Sequence, residues 1–195
     1  MNVALEAGLT RLAKGEFFVK MVDDKSGEVL LEWHTPQMIV LDAGVFLAWL
    51  SKDTPTGRKM GMLAVGTGAT GNILNPDAPQ SIQRSLTNCI AWKAFSSTNF
   101  IDFGGFAVSY PTHVVDFTAT FGASEAIGPL NEMGIMSALP SEVIGTIPLN
   151  PILTTNPYDP TVDITSKDVL INYLTYPVIS KPSTATLTIT WRLSF

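Results

Sequence analysis

Ala185-Thr186-Leu187-Thr188-Ile189-Thr190-Trp191-Arg192-Leu193-Ser194-Phe195 decides the reading of this chain. Ala185, Leu187, Ile189, Trp191, Leu193 and Phe195 fall on one side of an extended backbone. Thr186, Thr188, Thr190, Arg192 and Ser194 fall on the other. A period of two is the signature of a half-buried β-strand. The expectation is a core strand that runs to the terminal carboxylate.

Working outward, the same alternation returns at Val114 to Phe121, with Val115, Phe117, Ala119 and Phe121 on one face. Glu16 to Asp23 and Glu28 to Trp33 read as two strands, and Asp24-Lys25-Ser26-Gly27 between them has hairpin-turn chemistry. Met60 to Gly66, Ile90 to Phe95, Met133 to Met136 and Val169 to Val178 add four more strands. Phe100 to Tyr110, rich in Phe and Gly, reads as a loop or edge segment. Asn2 can cap a short helix carrying Leu5, Leu9 and Leu12. Such a helix is marginal alone and must dock, on its own domain or as an arm on a neighbour. Asp42 can cap a second helix, with Val45, Phe46, Trp49 and Leu50 on one face and Pro55 beyond its end. Residues 139–166 hold five prolines among apolar residues such as Val143, Ile147 and Leu153. They predict an ordered insertion that is not helical.

The expected architecture is therefore an antiparallel β-sandwich with one short helix. Residues 1–15 form an N-terminal arm or helix. Residues 16–195 form a single domain with the Pro-rich insertion at about 139–166.

Composition narrows the function. The 195 residues are 46% hydrophobic and only 15% charged, with a net charge of −5. The mean hydropathy is +0.25 and the isoelectric point about 4.9. No apolar run approaches the roughly 20 residues of a membrane-spanning helix. The surplus apolar surface belongs in a large core or in a subunit interface. The acidic balance disfavours nucleic acid. The first residues, with an early Glu6 and no basic stretch, do not resemble a secretory leader.

Chemistry-bearing patterns are few. Gly66-Thr67-Gly68-Ala69-Thr70-Gly71 matches the glycine spacing of a dinucleotide-binding turn. A helix should follow, yet Pro76 and Pro79 interrupt it, and no acid stands at the ribose position. The expectation is a strand end feeding a tight glycine loop. The single cysteine, Cys89, excludes an internal disulfide and a cysteine-based zinc site. With His34 or His113 it has no catalytic or metal-binding spacing. Glu125, Glu132, Glu142, Asp159, Asp163 and Asp168 are scattered, and nothing selects a glycosidase pair or a calcium loop among them. The sequence assigns no catalytic, cofactor-binding or metal residue, and the expectation is a protein that is not an enzyme and needs no cofactor.

Several pieces, in order, resemble a family of tailed-bacteriophage virion structural proteins. They are Met38 to Val45; Ala64-Val65-Gly66-Thr67-Gly68; Gln83-Arg84; Phe117 to Phe121; Asn131-Glu132-Met133-Gly134-Ile135; and the terminal Thr186 to Phe195. The resemblance runs through about residues 38–138 and 172–195. It implies a structural subunit of the tail, neck or collar, or fibre-attachment region. The partners would be copies of itself and other virion proteins, with no nucleic acid and no membrane span. The protein would be made in the host cytoplasm and end in the virion. Arg84 and Glu132 stand at the family's arginine and acid positions, where a bidentate contact would fix the strand after the Val65-Gly66-Thr67-Gly68 loop against the later turn. Two alternatives stand beside this reading. One is a capsid decoration protein. The other is a carbohydrate-binding sandwich with Phe100, Phe103, Phe106 and Tyr110 as a candidate aromatic platform.

Overall fold

The computed structural model describes residues 14–39, 59–80, 83, 85–138 and 170–194. The expected N-terminal helix, the helix after Asp42, the Pro-rich insertion, Arg84 and Phe195 lie outside the described residues.

The fold is mainly β, with antiparallel pairing throughout and no helix among the described residues. The strands are β1 (Lys14–Asp23), β2 (Val29–Ile39), β3 (Lys59–Gly66), β4 (Gly71–Asn72), β5 (Asn75–Pro76), β6 (Cys89–Ala94), β7 (Ser97–Ile101), β8 (Ala107–Val108), β9 (Val114–Phe121), β10 (Gly128–Ala138), β11 (Leu170–Lys181) and β12 (Ala185–Ser194). Ten of them pair in the order β6-β3-β10-β11-β2-β1-β12-β9-β7-β8, and β4 and β5 form a separate small hairpin.

The terminal strand follows its alternation. Ala185, Leu187, Ile189, Trp191 and Leu193 are buried, and the residues between them are half-buried. β1 and β9 flank β12 in continuous register, with Phe17 and Phe117 both opposite Trp191. Their inward residues, among them Phe17, Val19, Ala119 and Phe121, join one core with Leu63 and Val65 of β3, Met133 and Ile135 of β10, and Ile171 and Leu174 of β11. The core thus lies between the β1-β12-β9 strands and the β3-β10-β11 strands. Fully burying a side chain of this size stabilises by roughly 1.5–3 kcal/mol.

β2 ties the two groups together. Val29 to Gln37 pair with β1, whereas Met38 and Ile39 pair with Tyr173 and Asn172 of β11. The β1–β2 turn has the expected chemistry. Asp23 Oδ1 accepts the backbone N–H groups of Lys25 (3.0 Å) and Ser26 (2.8 Å). Gly27 takes the left-handed conformation, φ +74°, that glycine adopts without steric cost.

The β3-β10-β11 strands are also buried on their other face, where Met62, Ala64, Trp92, Met136, Leu170 and Tyr173 form a second cluster with Leu86. Burial on both faces explains why Met60 to Gly66 reads as a continuous apolar run instead of an alternation. The face of β12 away from the core is polar. There Thr190 lies 3.0 Å from Thr118, Thr188 lies 3.3 Å from Thr120, and Arg192 grips Asp116 through Nε (2.7 Å) and Nη2 (2.8 Å).

Candidate assembly site at the glycine loop

β3 ends at Gly66, and Gly66 to Gly71 turn straight into the β4–β5 hairpin. No helix follows over residues 67–80. The anion-binding helix terminus that a dinucleotide turn requires is therefore not built here. The glycines answer a different demand.

Glu132, on β10 and fully buried, points its carboxylate into the loop. Oε1 accepts the N–H of Gly68 (2.9 Å) and of Asn88 (2.7 Å). Oε2 accepts the N–H of Thr87 (2.9 Å) and the hydroxyl of Tyr173 (2.7 Å). A buried carboxylate needs such donors, because desolvating it without them costs several kcal/mol. The backbone must come close to supply them. A Cβ on Gly66 would collide with Asn88 O and lie 2.6 Å from Glu132 Oε1. One on Gly68 would collide with Asn88 N and lie 2.7 Å from the same oxygen. Gly134, two residues along β10, admits β11: a Cβ there would lie 2.6 Å from Leu170 Cδ1 and 2.8 Å from Asn172 O.

Neighbouring amides complete the brace. Asn131 Oδ1 accepts Ala69 N–H (3.0 Å), and its Nδ2 donates to Ala69 O (3.2 Å). Asn88 Nδ2 donates to Thr67 Oγ1 (2.7 Å), while Thr67 N–H donates to Asn88 O (3.0 Å). Burial, reinforced by the hydrogen bond to the Glu132 carboxylate, raises the Tyr173 phenol well above its usual range. Burial does the same to Tyr176, whose hydroxyl donates to Glu132 O (3.2 Å). Both phenols stay neutral donors.

The brace carries the β4–β5 hairpin. Gly71 has φ +91° and packs against Asp77, whose N–H donates to Thr70 O (2.8 Å) and whose Oδ2 accepts the Thr70 hydroxyl (2.8 Å). Asn72 Oδ1 accepts Leu74 N–H (2.8 Å) and sets the turn. On its other side the hairpin is pinned to β11. Thr175 Oγ1 donates to Asp77 O (2.7 Å), and Val178 N–H donates to Ile73 O (3.0 Å). That N–H is free for Ile73 because β11 loses register with β10 around Pro177, between the pairs Glu132↔Thr175 and Leu130↔Ile179. At the tip, Ile73 is 67% exposed and Leu74 77%. Two large aliphatic side chains are thus held in water on a multiply anchored backbone.

Other sequence candidates sort as follows. Cys89 is largely covered, its thiol donates to Ala91 O (3.6 Å), and burial together with the Glu132 charge pushes its pKa up to about 12. His34 stacks on Phe18 (4.8 Å) and reaches Glu16 at 3.5 Å, and His113 sits against Phe103 (5.1 Å). Their contacts lie away from the thiol. Glu125 pairs with Lys93 (2.6 Å) and accepts Gly122 N–H (2.8 Å). Among the described residues no group of three His, Cys, Asp or Glu side chains could hold a metal ion. Glu142, Asp159, Asp163 and Asp168 lie outside the described residues. Of the aromatic platform, Phe103, Phe106 and Tyr110 are exposed and Phe100 is half-buried in β7. The donors Thr87, Asn88 and Tyr173 carry no signal in the sequence. A tyrosine in an apolar strand looks like core until its hydroxyl partner is seen.

No protein-family model and no curated protein matches the chain.

Proposed function

We propose that the chain is a non-enzymatic structural subunit of a tailed-bacteriophage particle, built as an antiparallel β-sandwich and assembling with copies of itself and other virion proteins. The observation that carries this reading is the Ile73–Leu74 tip. A buried carboxylate, three tightly approached glycines and two bonds from β11 are spent on holding two aliphatic side chains in water. Burying such a pair against a neighbour contributes roughly 1.5–3 kcal/mol per side chain, set against the cost of lost freedom on association. Two of the six pieces that resemble the virion family, those holding Val65-Gly66-Thr67-Gly68 and Glu132-Met133-Gly134, contribute to the brace. Assembly of this kind uses no cofactor, and within this reading the sequence resemblance favours the tail, neck or collar, or fibre-attachment region. Capsid decoration would use the same tip on a different neighbour.

Native mass spectrometry of the purified chain tests the reading. The expected result is a defined oligomer that the double substitution Ile73→Ser, Leu74→Ser shifts to monomer with an unchanged unfolding temperature. A wild-type chain that stays monomeric at every concentration overturns it.

A carbohydrate-binding reading has its own observation, the exposed Phe103, Phe106 and Tyr110.

A further inference from the structure

A depression of about 310 Å³ lies between the β7–β8 hairpin and the polar face of β1 and β12. Its useful walls are Phe103 and Asp102 from the hairpin, His113 from the following loop, Glu16 from β1, and Arg192 and Ser194 from β12. The size is at the lower end for small-ligand sites.

The hairpin tip is built, not loose. Asp102 Oδ1 accepts the N–H groups of Gly104 and Phe106, both at 2.9 Å. Asp102 N–H donates to Phe106 O (2.9 Å), and Gly105 N–H donates to Asp102 O (3.0 Å). Gly105 has φ +82°, which closes the turn. Phe103 leaves this turn 97% exposed, with His113 supporting its ring. Thr112 Oγ1 lies 2.8 Å from Ile101 O and 2.9 Å from Val114 O, tying that loop to β7 and β9.

The opposite wall is fixed too. Asp116 occupies Nε and Nη2 of Arg192, leaving Nη1 without a hydrogen-bond partner among the described residues. Glu16 keeps a half-exposed carboxylate beside it, and Asp102 Oδ2 has no hydrogen-bond partner among the described residues. The site therefore offers one open aromatic ring, two carboxylates able to accept, and a guanidinium able to donate. That set matches a pyranose ring, whose C–H face lies on an aromatic and whose edge hydroxyls both donate and accept. Asp116 and Glu16 stand beside the Arg192 guanidinium, and Asp102 adds a third carboxylate to the wall of the same depression. The local field opposes an anionic ligand.

We infer that this depression binds a neutral saccharide, with Phe103 as the stacking platform and Glu16, Asp102 and Arg192 as the hydroxyl-binding groups. The site is independent of the Ile73–Leu74 tip, so it stands or falls apart from the assembly reading.

Saturation-transfer NMR on the full chain tests it, with maltotriose and chitotriose as neutral probes and sialyllactose as the anionic control. The expected result is transfer to at least one neutral probe. Phe103→Ala then weakens binding roughly tenfold, the loss of one buried aromatic contact. Glu16→Gln also weakens it, and neither variant changes the unfolding temperature. Absence of transfer to both neutral probes overturns the inference. So does transfer that Phe103→Ala leaves unchanged, or a preference for sialyllactose.

Discussion

The carboxylate of Glu132 lies 2.9 Å from the backbone nitrogen of Gly68, so close that a methyl group added to Gly68 would come within 2.7 Å of it. The acid and the glycine are two halves of one device. The acid satisfies N–H groups that the turn would otherwise leave unpaired, and the glycine lets the acid approach.

Glu132→Gln keeps the shape but puts an NH2 group where Oε1 or Oε2 now accepts. All four present partners are donors, so at least one meets another donor. The expected loss is about 1–3 kcal/mol, the cost of an unsatisfied buried group. Urea unfolding of the variant measures it. An unchanged midpoint would mean that the loop does not depend on the charge.

Trp191 and Leu193 are core, so deleting residues 191–195 should unfold the subunit outright. Trp191→Ala alone should cost about 3–5 kcal/mol. Far- and near-ultraviolet circular dichroism of the two proteins checks this. A folded, soluble truncation would show that β12 is dispensable.

Glu125 supplies an acid-side pH dependence. Burial works against its ionisation, but the hydrogen bonds from Lys93 and Gly122 outweigh it and hold the carboxyl below its ordinary value of 4.5. With the folded pKa depressed, its stabilisation is present above about 4.5 and lost as the pH falls through the folded value. Glu125→Gln should therefore be less stable than wild type at neutral pH, and the difference should shrink as the pH falls below 4.5 and through the lower folded value. Thermal unfolding across the acid range would show it.

With its pKa near 12, Cys89 is almost wholly protonated at pH 8. Iodoacetamide should alkylate the native protein far more slowly than the urea-unfolded chain. Equal rates would place the thiol outside the packed site.

Much of this fold could be read from alternation, because β9, β12 and β1 each bury one face. β10 was harder. Gly128-Pro129-Leu130-Asn131-Glu132-Met133-Gly134 contains poor strand formers, and only its apolar Met133 to Met136 announced extended structure. Asn131 and Glu132 are there to bind the loop across the sheet, and that tertiary demand overrides local preference. Lys181 reads as a turn residue, yet it ends β11 buried, its ammonium donating to Gly122 O (2.9 Å). The glycine loop was legible as a loop, but the resemblance gave Glu132 the partner Arg84, which lies outside the described residues, and not the loop N–H groups that it binds. The donors that surround that carboxylate come from Gly68, Thr87, Asn88 and Tyr173, and no pattern in one chain links positions so far apart.

β2 leaves β1 at Gln37 and joins β11 at Met38. One strand is therefore a shared ruler for both groups of strands. A one-residue slip against β1 would reverse which side chains face the core, and it would also carry Met38 and Ile39 out of step with β11. Neither group can settle into a wrong alignment without disturbing the other. Their slowest backbone amides should exchange with deuterium at one common rate, as a single opening unit.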